Sequence, residues 1–96
     1  MQFAWDERKS RSNLAKHHVG FAFATRVFDD PHVMSLPDDH AGEERWLSIG
    51  LVHGVLILVV VHTLEERGDE EIIRIISARK ATPRERKVYQ EQHAKT

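Results

Sequence analysis

The stretch VLILVVVHTLEERGDEEIIRIISARK, residues 55–80, decides the fold of this chain. Its first part, VLILVVVHT, is apolar on both sides, which is typical of a central strand that is covered on both faces. LEERGDE then predicts a charged hairpin loop, and EIIRIISAR predicts the next strand. Because the connection is short, the two strands are predicted to pair antiparallel. Arg74 interrupts the second strand, and Arg79 and Lys80 end it, so these cations are either solvated or placed to meet an anion.

The residues at the start of the chain predict a short strand followed by two helices. FAWD predicts the strand, and Asp6 is suited to cap the first helix because its carboxylate can accept from the free amides of the first turn. ERKSRSNLAKHH predicts a polar helix with Leu14 and Ala15 as its few apolar contacts. Gly20 breaks this pattern, and FAFATRVF then spaces its apolar residues as one stripe of a second helix. Pro31 ends that helix, since proline disfavours helical dihedrals in the residue before it.

The segments between the second helix and the hairpin predict two more strands. HVMSL predicts a strand and PDDHAGEE a polar loop with turn residues. Gly50 and Gly54 are interpreted as turn residues, with VHG as a tight turn. RWLSIG predicts a half-buried strand, and its alternation places two sets of side chains on opposite sides, namely Arg45, Leu47 and Ile49 against Trp46 and Ser48.

The last helix has the best local signal in the chain, TPRE at residues 82–85. Thr82 is a natural N-cap, Pro83 suits the first helical position, and Glu85 can complete a capping box, so a helix is predicted from Pro83 to about His93. The element order is a strand, two helices, three or four strands and a helix. It predicts an α+β fold, an antiparallel sheet with two N-terminal helices and one C-terminal helix, in a single domain over residues 1–96.

Length and composition exclude several classes of protein. Ninety-six residues suffice for one hydrophobic core, and the absence of cysteine excludes a disulfide framework and thiolate chemistry. The longest apolar run, residues 55–61, is far shorter than the roughly 20 residues of a membrane-spanning helix. The first residues are charged where a signal peptide would be hydrophobic, so the cytoplasm is the expected location. The net charge is −1, so only a local basic patch would favour nucleic acid.

His62 and Arg74 interrupt otherwise apolar strands, and antiparallel pairing places them within a few residues of each other along the ladder. The register that decides which face each side chain takes is open from sequence. RNA cleavage without metal needs groups that accept and donate a proton, for which histidine is suited, and cations such as arginine that stabilise the phosphate. The alternative is that His62 is satisfied by a backbone partner and that the arginines pair with neighbouring glutamates.

A second candidate site surrounds Arg45 and Trp46. An exposed tryptophan beside an arginine can stack a base, but a tryptophan at a strand start is more often a core anchor. Glu44 is a candidate general base, with a solvated loop carboxylate as the simpler interpretation. The spacing of the seven histidines argues against a metal site, because no H-E-x-x-H motif is present and His17 and His18 are adjacent.

The order of five motifs resembles the BrnT toxins of bacterial type II toxin–antitoxin systems. The motifs are WDERKSRSNLAKHHVGF, VFDDP, DDHAGEERWLSIG, VVVHT and IRIISARKATPRE, and they cover the chain from Phe3 to about Tyr89. The resemblance implies a RelE-like fold and a ribonuclease that arrests translation and growth. It implies a neighbouring BrnA antitoxin that neutralises the toxin and whose DNA-binding part lets the complex repress its operon. It implies no metal or organic cofactor.

The family's polar positions are distributed over the whole chain, and this resemblance suggests which residues act on RNA. The positions are Lys9, Asn13, Lys16, His17, Glu44, Arg45, Trp46, His62, Thr63, Arg74, Arg79 and Lys80. On this basis our hypothesis assigns proton transfer to His62 and phosphate stabilisation to Arg79 and Lys80. Arg45 and Arg74 would be supporting cations.

The chain departs from the family pattern at two positions, and the second departure, together with the near-neutral charge, leaves another function open. His18 stands where the family usually has glycine, and Glu65 stands where the loop after His62 often carries an arginine. The alternative function is a catalytically weak or inactive module that binds the antitoxin and acts as a co-repressor. The antitoxin is expected to dock in an apolar groove, for which the last helix, with Val88 and Tyr89, is a candidate edge. A homodimer is open on the same grounds.

Overall fold

A computed structural model describes residues 1–38 and 42–94, so the predicted PDDHAGEE loop lies partly outside the described residues. The elements in chain order are β1 Gln2–Ala4, α1 Glu7–His17, α2 Phe21–Ala24, a 3-10 helix Thr25–Asp29, β2 Met34–Pro37, β3 Trp46–Val52, β4 Leu56–Arg67, β5 Glu70–Lys80 and α3 Pro83–Ala94. The α+β fold class is confirmed. No helix in the described ranges is long and apolar enough to cross a membrane.

The five strands form one sheet in the order β1-β5-β4-β3-β2. Three neighbouring pairs are antiparallel, whereas β1 runs parallel to β5. The sheet is therefore mixed rather than wholly antiparallel. The predicted LEERGDE loop is wrong, because these charged residues continue both strands and leave only Gly68 and Asp69 in the turn. Charged side chains are tolerated there because the hairpin tip is mostly exposed to solvent.

Alternation along β4 gives the sheet two faces with separate cores. The face covered by α1, α2 and the 3-10 helix, called the N-terminal face, buries Leu58 and Val60. The other, called the C-terminal face, buries Ile57 and Val59 against Tyr89 of α3. The Tyr89 hydroxyl donates to the Asp30 carboxylate, and burial together with this hydrogen bond raises the pKa of Tyr89 to about 12.

Helix α1 is attached through polar rather than apolar side chains. The prediction that Leu14 supplies its core contact is wrong, because Leu14 is 52% exposed and the buried residues of α1 are Ser10 and Asn13. The Asn13 amide nitrogen donates to the carbonyls of Val19 and Ala78 at 2.7 Å each, and its oxygen accepts from the Ala78 amide at 3.3 Å. Strand β1 ends opposite Arg74, so Asn13 supplies hydrogen bonds that a longer edge strand would make.

Turns and caps follow the local signals in the sequence. The Asp6 carboxylate accepts from the Arg8 amide at 2.8 Å, which confirms the predicted N-cap. His18 ends α1 with φ 63°, the left-handed conformation that glycine adopts freely. Gly54 lies in the β3–β4 turn with φ 70°, as predicted. Gly50 is not a turn residue, since it lies within β3, where an added Cβ would come within 2.8 Å of Val27.

Candidate functional site

The structure separates His62 from the arginines that the sequence analysis grouped with it. His62 pairs with Ile75 and the next residue, Thr63, pairs with Arg74, so the predicted closeness along the ladder is confirmed. The side chains nevertheless point to opposite faces: the His62 ring lies against Phe28 on the N-terminal face, and alternation places Thr63 and Arg74 on the C-terminal face. One phosphate therefore cannot contact His62 and Arg74 together.

His62 is a buried, hydrogen-bonded histidine. It is 2% exposed, and its Nε2 lies 2.7 Å from the Ser48 hydroxyl, which contacts the Ser35 hydroxyl at 2.8 Å. Its Nδ1 lies 3.3 Å from the Thr63 carbonyl. A carbonyl only accepts, so Nδ1 carries the proton and Nε2 accepts from Ser48. Burial lowers the pKa of His62, which keeps the ring neutral.

Acidification should destabilise the protein through His62. Its pKa is lowered by burial from the ordinary value of 6.5, so the unfolded chain binds the proton more readily than the folded one. The stability that comes from keeping His62 neutral is fully present above pH about 6.5, and it is lost as the pH falls through the pKa of His62 in the folded protein. Urea unfolding of the wild type between pH 5 and 8 should give a free energy that falls toward acid. His62→Gln should flatten that slope, and an unchanged slope would contradict this assignment.

Two arginines and a threonine form a row on the C-terminal face, here called the arginine row: Arg45, Thr63 and Arg74. Arg45 directly precedes Trp46, which pairs with His62, and alternation then places Arg45 beside Thr63. The Nε of Arg45 and the Oγ1 of Thr63 are buried atoms without a hydrogen-bond partner among the described residues. Such atoms are costly unless something binds them, so this row is the best candidate for an anion site.

Carboxylates border the arginine row at both ends. Glu65 accepts from the Arg74 Nε at 3.0 Å and lies 3.5 Å from an Arg67 terminal nitrogen. Glu43 accepts from a terminal nitrogen of Arg45 at 3.3 Å. The Arg45 and Arg74 side chains keep 24% and 40% of their area exposed, so both remain within reach of a ligand.

Arg79 has a structural partner at the start of α3. Its two terminal nitrogens donate to the Glu85 carboxylate at 2.7 and 2.9 Å. Glu85 also accepts from the Thr82 amide at 2.8 Å, while the Glu85 amide donates to the Thr82 hydroxyl at 3.1 Å, which confirms the capping box. The Arg79 hydrogen bonds lower the pKa of Glu85 to about 2. Lys80 is exposed and pairs in the ladder with Leu58, toward the N-terminal face.

Alternation places the side chains of Trp46, the first residue of β3, and Arg45, just before it, on opposite faces of the sheet. Trp46 lines a pocket of about 380 Å³ on the N-terminal face, here called the His62 pocket, together with Met1, Phe28, Val33, Ser35, His62, Leu64, Glu71 and Ile73. Glu44 is exposed and lines a second pocket of about 360 Å³ together with Arg45 and Trp46, so these two residues of the predicted base-stacking pair border one pocket. Within the described ranges no group of three or more His, Asp or Glu residues is placed to hold a metal ion.

Thr63 is the site residue that the catalytic hypothesis omitted. Period-two alternation already separates Thr63 from His62, but the register that pairs Thr63 with Arg74 was open from the sequence and is given only by the structure. On α1, Lys9, Asn13, Lys16 and His17 line a cleft of about 230 Å³ against β5. Asn13 also has a structural role, since its amide donates to the Ala78 carbonyl. The catalytic roles suggested for His62, Arg79 and Lys80 stay predictions.

The comparisons with known proteins identify a class, the ribonuclease toxins of type II toxin–antitoxin systems. A family model described as "Ribonuclease toxin, BrnT, of type II toxin-antitoxin system" matches residues 5–85. The chain therefore belongs to the BrnT toxin family. A crystal structure of the Brucella abortus ribonuclease toxin BrnT matches with a TM-score of 0.64 and 28% identity, over 85% of this chain and 97% of that one. No curated protein matches.

Proposed function

We propose that this chain is a cytoplasmic endoribonuclease toxin that cleaves RNA without a metal ion and thereby arrests translation and growth. The observation that carries the proposal is the arginine row. It brings the guanidinium groups of Arg45, just before β3, and Arg74, on β5, beside the Thr63 hydroxyl of β4, which is buried and has no hydrogen-bond partner among the described residues. Guanidinium groups match the geometry of a phosphate, and donors fixed on strands need no rearrangement when charge develops.

The scissile phosphate would lie against Arg45, Thr63 and Arg74. The RNA 2′-hydroxyl loses its proton and attacks phosphorus, the bond to the 5′-oxygen breaks, and that oxygen takes up a proton. The row stabilises the extra negative charge on the phosphate oxygens during this step. Glu44, exposed next to Arg45, stays the candidate proton acceptor. His62 becomes a positioning residue, since its Nδ1 faces the Thr63 carbonyl and so orients Thr63.

The experiment is RNA cleavage by the purified chain in the presence of EDTA. Cleavage should persist, and its products should carry a 2′,3′-cyclic phosphate or the 3′-phosphate formed from it. Expression should arrest growth, and coexpression of the neighbouring gene product should relieve the arrest. RNA that stays intact at every pH between 5 and 8 would refute the ribonuclease function. Cleavage that occurs without EDTA but is lost when EDTA is added would refute metal independence.

The proposed partner is a BrnA-like antitoxin. A toxin of a type II system has a protein antitoxin, and we infer that this one also carries a DNA-binding part. Operator DNA would then be bound by the complex only through the antitoxin, which suits a chain of net charge −1. A homodimer is the proposed assembly of the free toxin, and light scattering would distinguish it from a monomer.

A second candidate function is a weak or inactive co-repressor, and Glu65 favours it. Its carboxylate lies between Arg74 and Arg67 and neutralises part of the arginine row. An anion that binds the row must compete with this carboxylate. A chain that binds its antitoxin but leaves RNA intact would fit this second function.

Glu65→Gln should raise the rate of RNA cleavage about 2- to 5-fold. A half-exposed ion pair contributes up to about 1 kcal/mol, and its removal frees the Arg74 Nε for the phosphate. Single-turnover cleavage at low salt measures the change. Glu66→Gln is the matched control, because it removes the same charge from the neighbouring residue on the opposite face. A Glu65→Gln variant that folds but loses cleavage would identify Glu65 as a required group and contradict its restraining role.

A further inference from the structure

The His62 pocket opens where the β4–β5 hairpin extends from the core. At its mouth, Leu64 pairs directly with Ile73, and Leu64 is 45% exposed. Aromatic rings of Phe28 and Trp46 form part of the walls. A pocket of about 380 Å³ with mostly apolar walls can accept one or two large apolar side chains, and it leaves apolar surface in water when empty.

The rim of this pocket is acidic. Glu66 and Glu71 are directly opposite each other in the ladder, one row beyond Leu64 and Ile73 on the same face. Like charges in directly opposed positions destabilise a sheet, and neither carboxylate has an ion-pair partner in the part of the chain that the structure describes. At the tip Asp69 adds a further carboxylate, whereas Glu70 pairs in the ladder with Arg67 and takes the opposite face. A positively charged partner would relieve this repulsion.

Charge decides which occupant fits. RNA is repelled by the acidic rim, and a second copy of the chain docked through the same surface would bring two such rims together. A protein segment that combines an apolar side chain with lysine or arginine is complementary in both respects. The matching cation would lie roughly 7 Å from the apolar anchor, which is the distance between alternate residues along a strand.

We propose that the His62 pocket is a docking site for the antitoxin, and that it receives a segment with a large apolar side chain flanked by Lys or Arg. The inference rests on the proposed toxin–antitoxin function and specifies the partner's chemistry. The pocket and the arginine row lie on opposite faces of the sheet. This segment therefore anchors the antitoxin and leaves its other parts to act on the RNA site.

The test uses the purified product of the reading frame adjacent to this chain's gene, titrated by calorimetry. Leu64→Asp should weaken the complex at least about tenfold, because it places a charge at the mouth of the pocket. Glu71→Lys should weaken it less and reduce its dependence on salt. The controls are Val88→Asp and Glu91→Lys on α3, where Val88 is 42% exposed and Glu91 is also exposed. Both controls should leave affinity within twofold.

Equal affinity for the wild type and Leu64→Asp would overturn the inference, as would a loss confined to the α3 variants. Thermal unfolding checks that each variant is folded, and Leu64→Ala serves as a milder second variant. RNA cleavage is measured in parallel, and Leu64→Asp should retain it. If the protein does not cleave RNA but still binds the antitoxin in a way that depends on Leu64, the ribonuclease function is refuted and the docking site is retained. A neighbouring product that does not bind the wild type refutes both the antitoxin partner and its docking site.

Discussion

Arg74→Ala should lower the rate of RNA cleavage about 10²- to 10³-fold, and Arg45→Ala should have an effect of the same order. In the proposed site each guanidinium would donate to phosphate oxygens whose charge increases in the transition state, and such hydrogen bonds are stronger in a partly buried site than in water. Single-turnover cleavage of a short RNA measures the loss directly. The free energy of unfolding should change little, because both side chains are partly exposed and their carboxylate partners are solvated.

Arg79→Ala is the matched control for this prediction. Its guanidinium makes both of its short hydrogen bonds to Glu85, so the substitution should lower stability and leave the cleavage rate of the folded protein unchanged. Thr63→Val is a further test of the arginine row. It removes a buried hydroxyl that has no hydrogen-bond partner in the described part of the chain. It should raise stability by roughly 1 kcal/mol while slowing cleavage.

The outcome separates two models of the site. Loss of cleavage in Arg74→Ala, with full activity in Arg79→Ala, supports a phosphate bound at the arginine row. The reverse result would refute the row and would support the phosphate-binding role that the sequence suggested for Arg79 at the end of β5.

Asn13→Ala should destabilise the protein by about 3–5 kcal/mol. The substitution removes the hydrogen bonds that the buried Asn13 side chain makes to the carbonyls of Val19 and Ala78 and to the Ala78 amide. Because a small domain is stable by only about 5–15 kcal/mol, this is a large part of the total. Urea unfolding at neutral pH measures it.

Exposed lysines of the same helix provide the control for Asn13. Lys9→Ala and Lys16→Ala should change the free energy of unfolding by less than about 0.5 kcal/mol. Any cleavage that Asn13→Ala retains, expressed per folded molecule, should equal that of the wild type. An Asn13→Ala protein of wild-type stability that has lost cleavage would instead make Asn13 a member of the active site.

Local patterns in the sequence were sufficient for most elements of the fold. The apolar run before His62 required a strand covered on both faces, and the spacing of Phe21, Ala24 and Val27 required one buried stripe, because these patterns depend only on the periods of strand and helix. The caps at Asp6 and Thr82 were predictable for the same reason, since a cap is satisfied by residues two or three positions away.

Polar anchors and long strands were not predictable from those patterns. In the sequence Asn13 was only a polar position on a polar helix, and its anchoring role was not indicated, because its partner Ala78 is 65 positions away. The charged segment LEERGDE after Thr63 was predicted to be a loop. Its residues form strand hydrogen bonds only when residues 64–67 and 70–73 lie side by side, and composition does not indicate that pairing. For Asn13 the deciding contact is distant along the chain, whereas the hairpin pairs from Leu64–Ile73 to Arg67–Glu70 are close in sequence but lack a local signal that distinguishes a long hairpin from a loop.

The sequence by itself determined the element types, the α+β class and the chemical inventory of histidine and arginines. Only the tertiary structure decided which of these side chains meet. A bulge between Val61 and His62 shifts the β4–β5 register, and alternation then places His62 on one face and Thr63 with Arg74 on the other. A shift of the register by one residue moves every side chain of the strand to the opposite face. The register depends on packing between the strands rather than on any local sequence pattern.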